Sequence, residues 1–264
     1  MSRRLAVVVA HPDDDAFGVT GTAALHADDP EFHLVAVLAT SGERGMISDP
    51  SLATPETLGA VREAEDAAGW RALDREPDRL EFLRYPDHAV EDVPFDELVE
   101  RITVILREDR PDVVVTFGSD GITGHPDHIR VGEATSAAFH LLREEGHDGF
   151  RRLLHVGLPE AAIGEFNRML VERGMPAFDP TQLYQPRGVP DETIAVVVDC
   201  SEVWERKRAA VKEHRTKAND TDFPPDVEER VYSTETFVQA WPERAPGERA
   251  LADVFEGLEA PAVG

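Results

Sequence analysis

Six short apolar runs, separated by longer segments with helical patterns, constrain the fold of this 264-residue chain more than any other feature. The runs are rich in β-branched residues and lie at 5–10, 33–39, 80–84, 112–117, 152–157 and 193–199. The helical patterns cover about 16–28, 55–69, 94–108, 126–145, 159–173 and 201–217. Near-continuous apolar strands that alternate with helices are typical of a parallel sheet covered on both faces. The sequence therefore predicts an α/β, Rossmann-like, mostly parallel sheet with helices on both faces.

The whole chain, 1–264, is expected to form a single domain, because no internal repeat or low-complexity linker divides it. Its length and its 41% hydrophobic composition suffice for a substantial core. We place the domain core at about 5–217. The remaining stretch, 218–264, is rich in proline and acidic residues, and we expect a C-terminal extension of mostly loop with a short closing segment.

Polar, glycine-containing segments follow the first four predicted strands at their carboxyl ends. They read HPDDD at 11–15, TSGERG at 40–45, YPDHAVED at 85–92 and GSDGITGHPDH at 118–128. In a doubly wound sheet the ligand site lies beyond the carboxyl ends of the strands, where the strand order reverses. The pattern therefore predicts a functional site at this edge of the sheet.

The first and last of these segments carry residues that suit a catalytic metal. A catalytic zinc site uses three ligands of the His, Asp or Glu type and keeps one position for water. His11 and Asp14 can converge on one ion from a tight turn, and His128 completes the set if the two segments are neighbours. Asp13 is then the candidate base for the proton of the metal-activated water. Fe²⁺ or Co²⁺ would suit the same two-histidine, one-carboxylate set.

Each of these elements also has a structural interpretation when it is taken alone. HPDD can be a helix N-terminus, with one Asp as the cap and the other carboxylates beside the helix dipole. HPDH can be a solvated loop. Two His-Pro-Asp elements, each placed behind a strand of the same predicted sheet, favour the metal site.

The sequence resembles the LmbE-like, or PIG-L-like, family of zinc-dependent N-acetylglucosaminyl deacetylases. The first family signature, A-H-P-D-D-E, corresponds to AHPDDD at 10–15, and the second, H-P-D-H, corresponds to 125–128. Four further blocks occur in the usual family order: TSGERG, VREAED at 61–66, FLRYPD at 82–87 and KRAAVKEHRTK at 207–217. The resemblance covers about residues 5–217, and its two signatures are highly specific.

The resemblance implies the same metal set that the residues themselves suggest. His11, Asp14 and His128 fall on the family's zinc ligands, and Asp13 falls on its general base. Two departures affect what can be transferred from the family. Asp15 stands where the family usually has Glu, and Thr123 stands where some sugar-thiol deacetylases carry a tyrosine that supports the intermediate.

The resemblance also implies roles around the metal. His125 falls on the histidine that stabilises the oxyanion or protonates the leaving amine, and Asp127 would orient His125 through a carboxylate–imidazole hydrogen bond. Arg62 and Asp87 fall on positions that grip sugar hydroxyls in relatives. Two further histidines, His88 and His214, are candidates for lining the pocket.

The activity that these features imply is hydrolysis of an N-acetyl amide on an N-acetylglucosamine-type substrate, giving acetate and a free amine. One alternative is a metal-dependent amidase that acts on a larger acyl group or a sugar–thiol conjugate. The other is a non-catalytic sugar- or nucleotide-binding module, which would hold no tightly bound metal and would bind equally well after Asp13→Asn.

The formal net charge of −25 restricts the partners of this protein. Such a surface repels nucleic-acid phosphates and anionic membranes, so a small-molecule partner is expected instead. Only three lysines occur, which fits a high-salt host or a high-GC genome. The single cysteine, Cys200, and the lack of an 18-residue apolar run or a secretory leader favour a cytoplasmic location. A homo-oligomer stays open.

Overall fold

The strands come in the order that the apolar runs predict. The computed structural model describes residues 3–217, 224–245 and 247–258. Nine strands lie in these ranges: β1 Arg3–Val9, β2 Phe32–Thr40, β3 Arg79–Tyr85, β4 Val113–Phe117, β5 Arg152–Val156, β6 Leu158–Pro159, β7 Gly188–Val189, β8 Ile194–Asp199 and β9 Thr234–Trp241. All six predicted strands are present, with ends that differ from the predicted ones by two residues or fewer.

The helices lie between the strands and also match the predicted pattern. They are α1 Asp14–Gly18, α2 Thr20–Leu25, α3 Leu58–Ala72, α4 Phe95–Asp109, α5 Gly121–Gly124, α6 Pro126–Glu144, α7 Glu160–Glu172, α8 Trp204–Lys212 and α9 Pro225–Tyr232. Helix α4 shows why the pattern works, since its buried side chains Leu98, Ile102, Ile105 and Leu106 recur at the helical period. No helix in the ranges above is long and apolar enough to cross a membrane.

Seven strands form one sheet in the order β3-β2-β1-β4-β5-β9-β8, and β6 pairs with β7 separately. The pairs from β3 to β5 are parallel, whereas β9 runs antiparallel to both of its neighbours. The predicted Rossmann-like, mostly parallel fold is confirmed. Strand β1 lies between β2 and β4, so the strand order reverses there. The segments after β1 and β4, which carry the two His-Pro-Asp motifs, are therefore neighbours.

The expected extension of mostly loop with a short closing segment contains helix α9 and strand β9 among its described residues. Strand β9 lies inside the sheet, and Phe237 is fully buried in its core. The segment TETFVQAW is short and lies among acidic and proline-rich stretches, and its position between two distant strands cannot be read from the sequence. Residues 218–223, 246 and 259–264 of the expected extension lie outside the described residues.

A buried ion pair attaches β9 to the rest of the fold. Glu235 accepts hydrogen bonds from Nζ of Lys207 at 2.6 Å and from the backbone N–H groups of Gly21 and Thr22 at 2.7 and 2.8 Å. The side chains of Lys207 and Glu235 are each only 1% exposed. Burying a charge is costly unless it is paired and fully hydrogen-bonded, and this carboxylate meets both conditions. The pair therefore joins β9 to α2 and α8.

Candidate active site

The turn after β1 is built to bring side chains together. The N–H of His11 donates to Oδ2 of Asp14 at 2.7 Å, and the N–H of Asp14 donates to the carbonyl of His11 at 3.2 Å. Between them Asp13 has a φ of 106°, in a region that L residues rarely occupy. Such a conformation costs about 1–3 kcal/mol and persists only where its surroundings impose it. The turn thus directs three side chains to one edge of the sheet.

The three predicted metal ligands converge. Nδ1 of His11 lies 3.1 Å from Nε2 of His128 and 3.4 Å from Oδ2 of Asp14. Nε2 of His128 lies 3.4 Å from Oδ1 of Asp14. His128 comes from the first turn of α6, next to β4, so these distances follow from the adjacency of β1 and β4. The arrangement offers two imidazole nitrogens and a carboxylate to one point.

The outer nitrogens of both histidines have acceptors. Nε2 of His11 lies 3.3 Å from Oδ2 of Asp127 and 3.1 Å from Oδ1 of Asp87. Nδ1 of His128 lies 3.0 Å from the carbonyl of Gly121. A ligating histidine donates its other N–H to a carboxylate or a carbonyl, which leaves the inner nitrogen free to bind metal. This pattern fits a metal ion at Nδ1 of His11 and Nε2 of His128.

Two other groupings could also hold an ion by proximity alone, since their donor atoms lie within 4.8 Å of one another. They are His11 with His125 and His128, and His11 with Asp87 and Asp127. The second would use the outer nitrogen of His11, which already faces two carboxylates. The first lacks a carboxylate, whereas Asp14 lies against both inner nitrogens. His11, Asp14 and His128 combine two imidazole nitrogens with a carboxylate, a donor set that suits a divalent cation.

The charges around His11 and Asp14 also favour a bound cation. Burial alone would lower the pKa of His11, but the carboxylates of Asp127, Asp14 and Asp87 raise it well above its ordinary value. Burial would raise the pKa of Asp14, yet His128 and His11 hold it low. The pocket thus attracts positive charge at the point where the ligand atoms meet.

Asp13 lies beside this point with one oxygen in use and one free. Its Oδ2 accepts a hydrogen bond from Nζ of Lys217 at 2.5 Å. Its Oδ1 is buried and has no hydrogen-bond partner among the residues described. A buried, unpaired carboxylate oxygen is costly in a finished core. Here it leaves an acceptor for a proton from water or substrate.

His125 is a neutral hydrogen-bond donor. Its Nδ1 accepts from the N–H of Asp127 at 3.1 Å, which places the ring proton on Nε2. The ring stacks on His128 with centroids 4.9 Å apart and meets His11 edge-on at 4.6 Å. Burial, with His11 and His128 nearby, lowers the pKa of His125 to about 3. At neutral pH the ring can donate a hydrogen bond from Nε2 without carrying a charge.

The carboxylate of Asp127 does not orient His125 as the resemblance implied. It accepts from the N–H groups of His88 and Val90 at 2.8 and 3.1 Å and lies against His11. Only the backbone N–H of Asp127 meets the His125 ring, because the carboxylate is turned toward the loop after β3. Asp127 therefore positions His11 with its side chain and His125 with its backbone.

Arg62 and Asp87, expected to grip sugar hydroxyls, are directed into the protein. Arg62 is 2% exposed and donates to the carbonyls of Gly42 and Met46 at 2.7 and 2.9 Å. Asp87 is 1% exposed, accepts from the N–H of Arg44 at 2.9 Å and faces His11. Arg62 thus contacts the loop after β2, and Asp87 contacts that loop and His11, while the contacts of both with sugar hydroxyls stay a prediction.

Asp15 compensates for its shorter side chain by contacting α3 directly. Its Oδ2 accepts from Nε1 of Trp70 at 2.8 Å, and its carboxyl group meets that of Asp66. Burial, with the charge of Asp14, raises the pKa of Asp15, and burial, with the carboxyl group of Asp15, raises the pKa of Asp66. Two buried carboxyl groups in contact cannot both ionise readily, so they share a proton behind the turn.

Sequence reasoning gave no role to Lys217 or Tyr184, although both border the site. Lys217 belongs to the late family-like block, 207–217. Lysine is rare in this arginine-rich chain, and that rarity could have marked Lys217 as a candidate site residue. Each of the three lysines meets a carboxylate, with Lys207 on Glu235 and Lys212 on Glu228. Tyr184 comes from the segment after α7 and has no motif that could have marked it.

Comparisons of the sequence with known proteins indicate one family. The family described as PIG-L, GlcNAc-PI de-N-acetylase, matches residues 6–139. A 1D-myo-inositol 2-acetamido-2-deoxy-alpha-D-glucopyranoside deacetylase from Kineococcus radiotolerans is 33% identical over 251 residues, covering 81% of this chain and 69% of the relative. A protein of the same name from Saccharomonospora viridis is 32% identical over 282 residues, covering 95% and 99%. The crystal structure of a conserved protein from Thermus thermophilus superposes with a TM-score of 0.62 at 25% identity, covering 94% of this chain and 100% of that chain.

Proposed function

Since the chain belongs to the PIG-L family, we propose that it is a metal-dependent deacetylase that hydrolyses the N-acetyl amide of an N-acetylglucosamine-type sugar. Water and the amide would give acetate and a free amine. The membership confirms the resemblance that AHPDDD and HPDH indicated. The relatives from Kineococcus and Saccharomonospora carry the name of such a deacetylase, which supports the proposed substrate class.

One observation carries the proposal. The unpartnered Oδ1 of Asp13 lies in the turn that also supplies His11 and Asp14 to the metal-binding point. A metalloamidase needs such an acceptor beside its ligands, not among them. A sugar-binding module has no use for a buried carboxylate oxygen that lacks a partner.

The residues that would hold the ion are His11, Asp14 and His128, with zinc as the proposed metal and Fe²⁺ or Co²⁺ as alternatives. When bound, the ion would polarise the amide carbonyl and lower the pKa of a water toward about 7. Asp127 and Gly121 keep the two histidines in the tautomers that this binding needs.

Asp13 and His125 would perform the proton transfers and the charge stabilisation. Oδ1 of Asp13 takes a proton from the attacking water and returns it to the amide nitrogen as the C–N bond breaks. Nε2 of His125 donates a hydrogen bond to the carbonyl oxygen as negative charge develops on it. One such donor lowers the barrier by about 3–4 kcal/mol. Because His125 is neutral at its lowered pKa, Asp13 is the better proton donor to the leaving nitrogen.

The decisive test combines metal content with acetate release. Wild type, Asp13→Asn, His11→Ala and the control Asp28→Asn, at an exposed position, are purified and assayed on N-acetylglucosamine glycosides at low and high salt. We expect one divalent ion per chain in all variants except His11→Ala. Acetate should be released by wild type and Asp28→Asn, with Asp13→Asn reduced by about 10²-fold or more.

Two other outcomes have defined meanings. A bound ion without acetate release from any sugar would contradict the deacetylase and leave an amidase for larger acyl groups, tested with N-butyryl and N-benzoyl analogues. Wild type without bound metal after reconstitution, but with intact sugar binding in both wild type and Asp13→Asn, would identify a binding module.

A further inference from the structure

Tyr184 forms part of the rim of the candidate site. Its ring meets that of His125 edge-on, with centroids 5.1 Å apart and an interplanar angle of 61°. It meets the ring of His88 at 6.1 Å and 69°. Tyr184 is nevertheless 52% exposed. One part of the ring therefore covers two site histidines, while the rest faces solvent at the entrance.

The backbone holds this ring in place. The N–H of Tyr184 donates to the carbonyl of Thr123 at 3.0 Å, and the N–H of Arg187 donates to the carbonyl of Ile122 at 2.7 Å. Tyr184 itself has a φ of 64°, which is uncommon for a bulky residue. Both anchors lie on the turn that immediately precedes His125, so the ring and the imidazole are positioned by the same backbone.

A close contact beside these anchors restrains the segment further. The guanidinium of Arg187 packs against the backbone of Gly124, where a Cβ would lie only 2.2 Å from Nη2. Gly124 has a φ of 73°, so this position suits glycine on conformational grounds as well. The segment from Tyr184 to Arg187 is thus fitted to the His125 turn, and an aromatic ring held in this way is preorganised for binding.

We propose that Tyr184 is the platform on which the pyranose ring of the substrate stacks, and that it determines specificity for cyclic sugars over acyclic acetamides. The inference rests on the proposed function, because the acetamide must lie over His125 for the adjoining sugar ring to reach Tyr184. The face of an aromatic ring is electron-rich and attracts the polarised C–H groups of a pyranose. An exposed tyrosine can present that face while its hydroxyl stays in water. In this role Tyr184 supplies an aromatic side chain at the edge of the site, which Thr123 cannot supply.

The test separates binding from turnover. Methyl N-acetyl-β-D-glucosaminide and the acyclic N-acetylethanolamine are assayed with wild type, Tyr184→Ala, Tyr184→Phe and the control Leu183→Ala, a neighbour that is 55% exposed. We expect Tyr184→Ala to raise KM for the sugar about tenfold, with kcat within about twofold and no change for the acyclic amide. Tyr184→Phe keeps the ring and should recover most of the lost affinity. Leu183→Ala should match wild type.

Three results would overturn the platform. One is a rise in KM in Tyr184→Phe equal to that in Tyr184→Ala, which would assign the role to the hydroxyl. Another is an equal effect of Leu183→Ala, and the third is an equal effect on the acyclic amide. Calorimetric binding of the same glycoside to Asp13→Asn, with and without Tyr184→Ala, needs no turnover. A tenfold weaker Kd there supports the platform even if the proposed hydrolysis fails, and an unchanged Kd contradicts it.

Discussion

The ammonium group of Lys217 lies 2.5 Å from Oδ2 of Asp13, while Oδ1 of the same carboxylate has no partner among the described residues. Burial would lower the pKa of Lys217, but the charges of Asp13 and Asp14 raise it above its ordinary value. Lys217 follows α8 in the short 3₁₀ turn Arg215–Lys217. Lys217, at the end of the family-like region, thus fixes one oxygen of Asp13, the proposed base. The other oxygen of Asp13 is left to accept a proton.

Replacing Lys217 by methionine should lower kcat without a matching change in KM. Without the ammonium, Asp13 loses the contact that fixes the direction of Oδ1, and misplacing a catalytic group by about 1 Å can cost about 10²-fold. We expect a fall in kcat of about 10- to 100-fold, measured by acetate release at saturating sugar.

Lys212→Met is the matched control for this experiment, because Lys212 pairs with Glu228 and not with a carboxylate of the candidate site. It should retain the wild-type kcat. An unchanged kcat in Lys217→Met, with metal content and melting temperature intact, would remove Lys217 from the proposed machinery.

Asp127→Asn should weaken metal binding. An asparagine has only one acceptor oxygen, so its NH₂ group faces either the N–H of Val90 or both the N–H of His88 and Nε2 of His11. Loss of such a supporting carboxylate typically lowers metal affinity about 10- to 100-fold. A chelator-competition titration measures it, with Asp78→Asn at the opposite edge of the sheet as control. Equal affinities in both variants would argue against the assigned ligand set.

Lys207→Met should destabilise the fold through the buried carboxylate that it leaves behind. Removing one partner of a buried ion pair costs about 3–5 kcal/mol, because the remaining charge has lost its compensation. Urea unfolding measures the loss of free energy. The double variant Lys207→Met, Glu235→Gln should recover part of it, since the glutamine carries no charge. Equal losses in the single and double variants would show that packing, not charge, is responsible.

His155 should make the stability of the fold depend on pH. Burial lowers its folded-state pKa to about 4, below the value of about 6.5 expected in the unfolded chain. The unfolded state therefore takes up the proton first as the pH falls. The contribution of His155 is fully present above pH 6.5 and is lost progressively as the pH drops toward 4.

His155→Gln removes this titration while an amide can still meet Ser136, the present partner of the ring. Between pH 6.5 and 4 the wild type should lose stability more steeply than the variant, by up to about 1.4 kcal/mol per pH unit. His147→Gln, at the surface beside Glu145, serves as the control. Parallel stability curves for wild type and His155→Gln would refute the expectation.

Local sequence patterns predicted most of the parallel sheet and the convergence of His11, Asp14 and His128. Strands such as β1 and β4 are short, near-continuous apolar runs, which are recognisable in the sequence. Parallel pairing places their carboxyl ends at the same edge of the sheet. Because His11 and Asp14 share one turn and His128 follows the adjacent strand, their convergence needs no knowledge of side-chain packing. That is why motif and sheet topology together were enough.

The remaining features depend on the orientation of individual side chains, which a sequence pattern does not specify. No sequence pattern shows that the guanidinium of Arg62 donates to the carbonyls of Gly42 and Met46. The carboxylate of Asp127 faces His11 and not His125, because two N–H groups in the loop after β3 donate to it. Tyr184 and β9 reach their places through long-range contacts that neither composition nor period reveals.

The position of β9 bears on how the protein is made. It is the last of the seven sheet strands to leave the ribosome, yet it lies between β5 and β8. Until it emerges, a nascent chain that has already formed β1 to β5 presents the unpaired backbone edge of β5 to its surroundings. Open edges of this kind pair readily with other chains. The edge of β5 is therefore open to mispairing until β9 has been synthesised.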